Sequence, residues 1–353
     1  KGHSIQATDT DPVLYAGAWS SGNNLNTGRS QLGGFGTQTA AVGAGGFDGT
    51  DPSPYNSEVE EYDGSSWTEV TNLPRTQRHM GSCGTQTAGI VNGGNDGSST
   101  FVESFEYDGT NWTEGGDLNT GKYMLENAGT QTAALAIAGQ TGSPDASTAV
   151  ATVESYNGSS FTEEDDLSSA RRGVAAFGTS TAAIAASGFT PSAPYASNVE
   201  QYDGSSWTEI TEMNTDRANS GTSGSATAGL VFGGEATGTV AITESWDGTS
   251  WTEVADLSSN KSLIGAANAG TNTVTLVFGG NPPAAATTYT GTATEEWSFP
   301  SAPGAQLGQV WFNTDSATLK GYAAQGTGAW ASGGNINTAR SDLAAASNAT
   351  TTA

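Results

Sequence analysis

Short apolar runs alternate with polar residues along most of the chain, and glycine interrupts them every few positions. Residues 59–70, VEEYDGSSWTEV, show the pattern at its clearest, with two alternating runs on either side of Asp63-Gly64. Near copies follow: FEYDGTNWTEG from Phe105, VESYNGSSFTEE from Val153, VEQYDGSSWTEI from Val199 and TESWDGTSWTEV from Thr243. Asp-Gly between alternating runs is a strong hairpin signal, and it predicts a two-residue type I′ turn with positive φ at both central positions.

The hairpins belong to a longer period. Trp19, Trp67, Trp112, Phe161, Trp207 and Trp251 follow one another at intervals of 44 to 49 residues, a spacing found in propellers and arrays. The unit beginning at Arg78 predicts four strands: Met80 to Cys83, Ala88 to Val91 before Gly93-Gly94, a strand ending at Tyr107, and one at Trp112. Sets of three inner strands end at Tyr62, Tyr107, Tyr156, Tyr202, Trp246 and Trp297, while the sixth set lacks a following outer strand. The segment VLYAGAWSSG from Val13 has the opposite defect, with no inner strands before it. The expectation is an all-β, six-bladed propeller whose N-terminal outer strand completes the last blade and leaves no free sheet edge there.

These marks resemble the kelch repeat, which carries a Gly-Gly doublet after the second strand and a Tyr followed closely by a Trp. Doublets stand at Gly45-Gly46, Gly93-Gly94, Gly233-Gly234 and Gly279-Gly280, and decay to Ala138-Gly139 and Ser187-Gly188. The aromatic pairs are Tyr62/Trp67, Tyr107/Trp112, Tyr156/Phe161, Tyr202/Trp207 and Trp246/Trp251. The resemblance covers residues 13–300, with 1–12 as an N-terminal connector. Residues 301–353 read as a hairpin connector, GQVWFNTDSATLKGY, followed by the start of a further repeat that copies residues 16–34. Such a chain reads as a piece of something longer. The paired aromatics are expected to be core, stacked across neighbouring strands.

Composition narrows the partners. The 353 residues carry 36 acidic side chains against 11 Lys plus Arg, a formal charge of -25, so a phosphate backbone is repelled and nucleic acid is a poor partner. A composition of only 35% hydrophobic residues, rich in Gly, disfavours long amphipathic helices. No apolar run approaches the length needed to insert in a bilayer. A lone Cys83 excludes an internal disulfide and leaves the compartment open.

The scarce cations recur at the start of each unit: Arg29, Arg78, Lys122, Arg171, Arg217 and Lys261, with Arg340 in the partial copy. Two readings compete. The cations pair with repeated acids, either Glu60, Glu154, Glu200, Glu244 and Glu295 or the glutamates two residues after the fourth-strand aromatic. Alternatively they form an anion-binding funnel at the channel mouth for a carboxylated glycan or an acidic peptide. The loops after the doublets vary most, and Phe47, Tyr55, Phe189, Tyr195 and Tyr289 offer flat faces there for sugar rings. The resemblance implies partner binding on this loop face.

Catalytic signals are thin. His3 and His79 are the only histidines, too few for a His-rich metal site, and Cys83 sits in an ordinary inner strand. The copper oxidases built on kelch propellers need a Cys-Tyr cross-link and two His ligands that have no counterparts here. ATDTDP (7–12) and FDGTDP (47–52) lack the full spacing of an EF-hand loop. The expectation is therefore no enzyme, no metal and no cofactor. Phrases such as NTAR (337–340), GTQTAA (36–41) and DGSSWTE (203–209) resemble kelch-like arrays in virion structural proteins of marine bacteriophages. That resemblance implies a non-catalytic structural and adhesion module of a virion or extracellular protein. Its partners would be protein neighbours and a cell-surface glycan. The alternative is a secreted bacterial carbohydrate-binding or enzymatic kelch propeller.

Overall fold

Gly33–Thr37, Ala40–Phe47, Tyr55–Tyr62 and Trp67–Glu69 pair in that order as one antiparallel sheet, blade 1 of the propeller. The computed structural model describes residues 17–49, 54–142, 148–282, 291–299, 310–313 and 318–321. Four more sheets of the same order begin at Gly81, Glu126, Ala175 and Gly221, forming blades 2 to 5. Blade 6 takes Gly265–Ala266, Val274–Phe278 and Thr294–Ser298 from one part of the chain and Ala18–Ser21 from the other. The protein is an all-β, six-bladed propeller, with no helix among the described residues. Its ring closes through the N-terminal strand, as expected: Trp19 lies opposite Trp297 in register, with ring centroids 5.3 Å apart.

The chain divides into two compact units, Lys1–Phe299 and Pro300–Ala353. In the second, Val310–Asn313 pairs with Thr318–Gly321 as a hairpin. The N-terminal connector, the repeat copy with Arg340, and the loop residue Tyr289 lie outside the described residues.

The core lies between blades. In each of blades 1 to 5 the third-strand aromatic faces the fourth-strand one in register, with centroids 4.7 to 5.1 Å apart. Tyr62, Tyr107, Tyr156, Tyr202, Trp246 and Trp297 are all buried, so these pairs are packing. Four of the tyrosines also reach the previous blade, donating to Glu296, Glu61, Glu106 and Glu164. Burial, seconded by those glutamates, pushes the Tyr62, Tyr156 and Tyr202 hydroxyls up to about 12. The GTQTA phrase acts similarly, since Gln38, Gln86 and Gln131 donate to the carbonyls of Trp297, Tyr62 and Tyr107.

Two local expectations change. In the Asp-Gly turn only glycine has positive φ (Gly64, +89°), whereas a type I′ turn needs two such residues. Asp63 stands at the turn's flank instead, where Oδ1 accepts the N–H groups of Ser65 and Ser66 at 2.8 and 2.7 Å. The decay of the doublets also finds its reason. The first position sits near φ +60°, which Ala138 and Ser187 tolerate, while the second reaches +87° to +110° and is glycine in all six blades.

Candidate binding face

Each blade's first strand is entered from a linker that crosses the same face as the loop after the doublet. On this face two closed circuits of backbone hydrogen bonds run through all six blades. In the outer circuit the second doublet residue donates to the carbonyl at the recurrent cation position of the next blade: Gly46 to Gln77, Gly94 to Lys122, Gly139 to Arg171, Gly188 to Arg217, Gly234 to Lys261 and Gly280 to Arg29, at 2.8 to 2.9 Å. The inner circuit joins Gln31, His79, Met124, Gly173, Asn219 and Leu263, each donating to its counterpart in the preceding blade at 2.8 to 3.0 Å. All six of these residues have φ between +54° and +60°. They ring the mouth of the axial channel and line a cavity of about 60 Å³ there.

The outer circuit fixes the cation register and corrects one position in it. Arg29, Lys122, Arg171, Arg217 and Lys261 share the site, but in blade 2 it belongs to Gln77, and Arg78 falls one residue later. The five true members point into the blades, where they are almost wholly buried and pair with Glu60, Glu154, Glu200, Glu244 and Glu295. The Arg29–Glu60 and Lys122–Glu154 contacts are 2.9 and 3.1 Å. Each glutamate's second oxygen accepts a linker N–H, from Asn26, Asn119, Ser168, Asn214 and Ser258, at 2.7 to 2.8 Å. Burial pulls Arg29, Lys122 and Arg171 down and takes Arg217 to about 10, while the partner glutamate opposes it in every case. These five charges do not face solvent.

Blade 2 replaces the arrangement as a set. Phe105 stands where the glutamate would be, Gln77 replaces the cation, and Pro74, with no N–H to donate, occupies the place of Asn26. Arg75 fills the gap: its guanidinium lies 3.6 Å from the Phe101 centroid, bonds Gln77 Oε1 at 2.8 Å and meets Glu103 at 2.8 Å.

One residue beyond the cation register, and next in the chain to the inner circuit, lies a further tier: Ser30, Arg78, Tyr123, Arg172, Ala218 and Ser262. Each forms a bridge with the first residue after its doublet, Phe47, Asn95, Gln140, Phe189, Glu235 and Asn281. Arg78 and Arg172 have no carboxylate within ion-pair distance among the described residues, whereas Arg29, Arg75, Lys122, Arg171, Arg217 and Lys261 do. Arg78 donates to Asn95 and Gln31 at 3.0 and 2.8 Å and lies over Tyr55 and Phe47. Arg172 stacks 5.1 Å from the Phe189 centroid, and its Nε is buried without a partner.

Phe47 and Tyr55, in blade 1, pair with centroids 6.1 Å apart; Phe189 and Tyr195, in blade 4, pair at 5.3 Å. All four are half-buried on the loop face. Tyr195 also lines a groove of about 640 Å³, with Thr190, Ser168, Asn198, Glu209 and Asp216 on its other walls. That volume lies in the range of small-ligand sites.

His79 and Cys83 are poorly set for chemistry. Burial, with Arg78 and Arg172 nearby, holds His79 neutral and takes it down to about 3, and burial drives the Cys83 thiol well above its ordinary range. Sequence reasoning missed Arg172 and the inner circuit. The double arginine at 171–172 was a visible signal for the first, but the six circuit residues share no residue type. No family model matches this chain, and no curated protein matches its sequence.

Proposed function

We propose that the chain is a non-catalytic, kelch-type propeller module of a virion or extracellular surface protein, which binds a glycan or partner through its loop face. The observation that carries the reading is the concentration there of aromatic pairs and the 640 Å³ groove, on a frame whose third-strand aromatics and five register cations are buried in packing. Variable loops on a rigid ring suit recognition, and stacked half-buried rings suit sugar faces. The repeat phrases support the virion setting. The test is a glycan array probed with the full chain: saturable binding is expected, lost in Tyr55→Ala and Tyr195→Ala without loss of fold. Immunogold labelling of purified particles tests the setting, and labelling only of bacterial secretions would move the module to another source.

A second reading, an enzymatic propeller, rests on Glu209 and Asp216, two carboxylates on the same groove. Release of reducing ends from a bound polysaccharide, abolished in Glu209→Gln, would favour it.

A further inference from the structure

We infer that the channel mouth carries an anion site, formed by Arg78, Tyr123 and Arg172 on three consecutive blades, which takes the carboxylate of an acidic sugar. The inference rests on the glycan-binding reading above and gives it a ligand class.

The mouth is asymmetric. Blades 2, 3 and 4 present Arg78, Tyr123 and Arg172, while blades 5, 6 and 1 present Ala218, Ser262 and Ser30 at the same register. The charge of this tier therefore lies on one side of the ring, where Arg78 and Arg172 are partly exposed, while Ala218, Ser262 and Ser30 on the other side are buried. Both arginines bear on His79, whose ring lies 6.2 Å from that of Tyr123, so the arc converges on one place.

Several buried polar atoms around the mouth have no protein partner. Arg172 Nε, both His79 ring nitrogens, Asn95 Nδ2 and Gln140 Oε1 are all unpartnered, and Asn95 and Gln140 are 0% and 5% exposed. Buried polar groups are ordinarily satisfied, so a cluster of orphans marks a place where water or a ligand completes the bonding. Two acids lie close by: Glu235 of the tier, to which Asn219 donates at 3.2 Å, and Glu126, on the same cavity wall as His79, whose carboxyl is pushed up by burial to about 8.

The ligand class follows from charge and shape. On a chain of formal charge -25, two arginines left without carboxylates are selective for an anion that can approach closely. A guanidinium matches a carboxylate in a planar, two-bond geometry. The Phe47–Tyr55 and Phe189–Tyr195 pairs flank the arginines with flat apolar faces, which suit a sugar ring better than an extended peptide.

Calorimetry of the full chain against a polyuronate, the same polymer with its carboxyls reduced to alcohols, a sulfated neutral polymer and a polyglutamate peptide tests the site. The expected result is polyuronate binding that falls by at least about tenfold in Arg172→Gln and further in the Arg78→Gln/Arg172→Gln double variant. Arg75→Gln, away from the mouth, should leave it unchanged. Thermal melts should show both mouth variants folded. Three results overturn the inference: equal binding of the reduced polymer, binding of the sulfated polymer or the peptide alone, or unchanged affinity in the double variant. Absence of any polyuronate binding also overturns it. Neutral-glycan binding that is lost in Tyr195→Ala but not in the arginine variants would leave the proposed function standing without this site.

Discussion

Blade 2 and blade 4 solve the same packing problem with different chemistry. Blade 4 places Arg171 against Glu200 in a fully buried pair and caps the carboxylate with the Ser168 N–H. Blade 2 puts Gln77, Phe105 and Pro74 at those positions and moves its cation to Arg75, at the rim of the blade, against Glu103. The comparison shows that the buried ion pair is a replaceable unit of three coupled positions. It can be exchanged whole for an amide and an aromatic, but not in part, because either charge left alone in the blade is uncompensated.

Breaking the unit in blade 4 should give the largest effect. Glu200→Ala strands Arg171 and is expected to cost about 3–5 kcal/mol in urea unfolding. Transplanting the blade 2 set as S168P/R171Q/E200F should recover most of that loss. Additive rather than compensating effects would mean that the three positions are not coupled. The reverse intrusion, Phe105→Glu, buries a carboxylate beside Gln77 and should cost about 3 kcal/mol. Adding Gln77→Arg should restore only part of it, because Pro74 offers no N–H to the new carboxylate.

Blade 3 sharpens the contrast within one blade. Its Glu154 is paired with Lys122, but Glu126, on the wall of the mouth cavity, has no ion pair among the described residues, and burial pushes it up to about 8 from 4.5. Between those values the fold holds Glu126 protonated while the unfolded chain ionises it, so stability falls as pH rises through the window. Glu126→Gln should therefore stabilise by up to about 4 kcal/mol at pH 8 and by almost nothing at pH 4. Parallel melting curves of the two proteins at both pH values check this. The smallest effect belongs to the half-exposed pair of blade 2, where Glu103→Gln should change stability by less than about 1 kcal/mol, and less still in high salt.

Much of this architecture was legible in the sequence because the interblade stitches use fixed residue types: Tyr and Trp on facing strands, Gln in GTQTA, Gly at φ values closed to other residues. The cation register was legible in five blades and off by one in the second. In RTQRHM the eye selects Arg78, yet the backbone bond from Gly46 selects Gln77. The missing glutamate at Phe105 was the available clue. The inner circuit left no trace because its left-handed backbone is imposed by bonds to neighbouring blades, so side chains as unlike as Met124, His79 and Leu263 all serve. Arg172 escaped notice because its role depends on lacking a partner, a property visible only once every glutamate has been placed.

The seam of blade 6 has a mechanical consequence. Ala18 lies opposite Ser298 and Ser21 opposite Glu295, so the chain leaves both strands at the same end of their pairing. Tension applied through residues 17 and 299 would peel that pairing one rung at a time, instead of loading all its rungs together in shear. The Trp19–Trp297 contact would be among the first to part, which makes it a low-force latch in a ring otherwise fastened along its whole circumference.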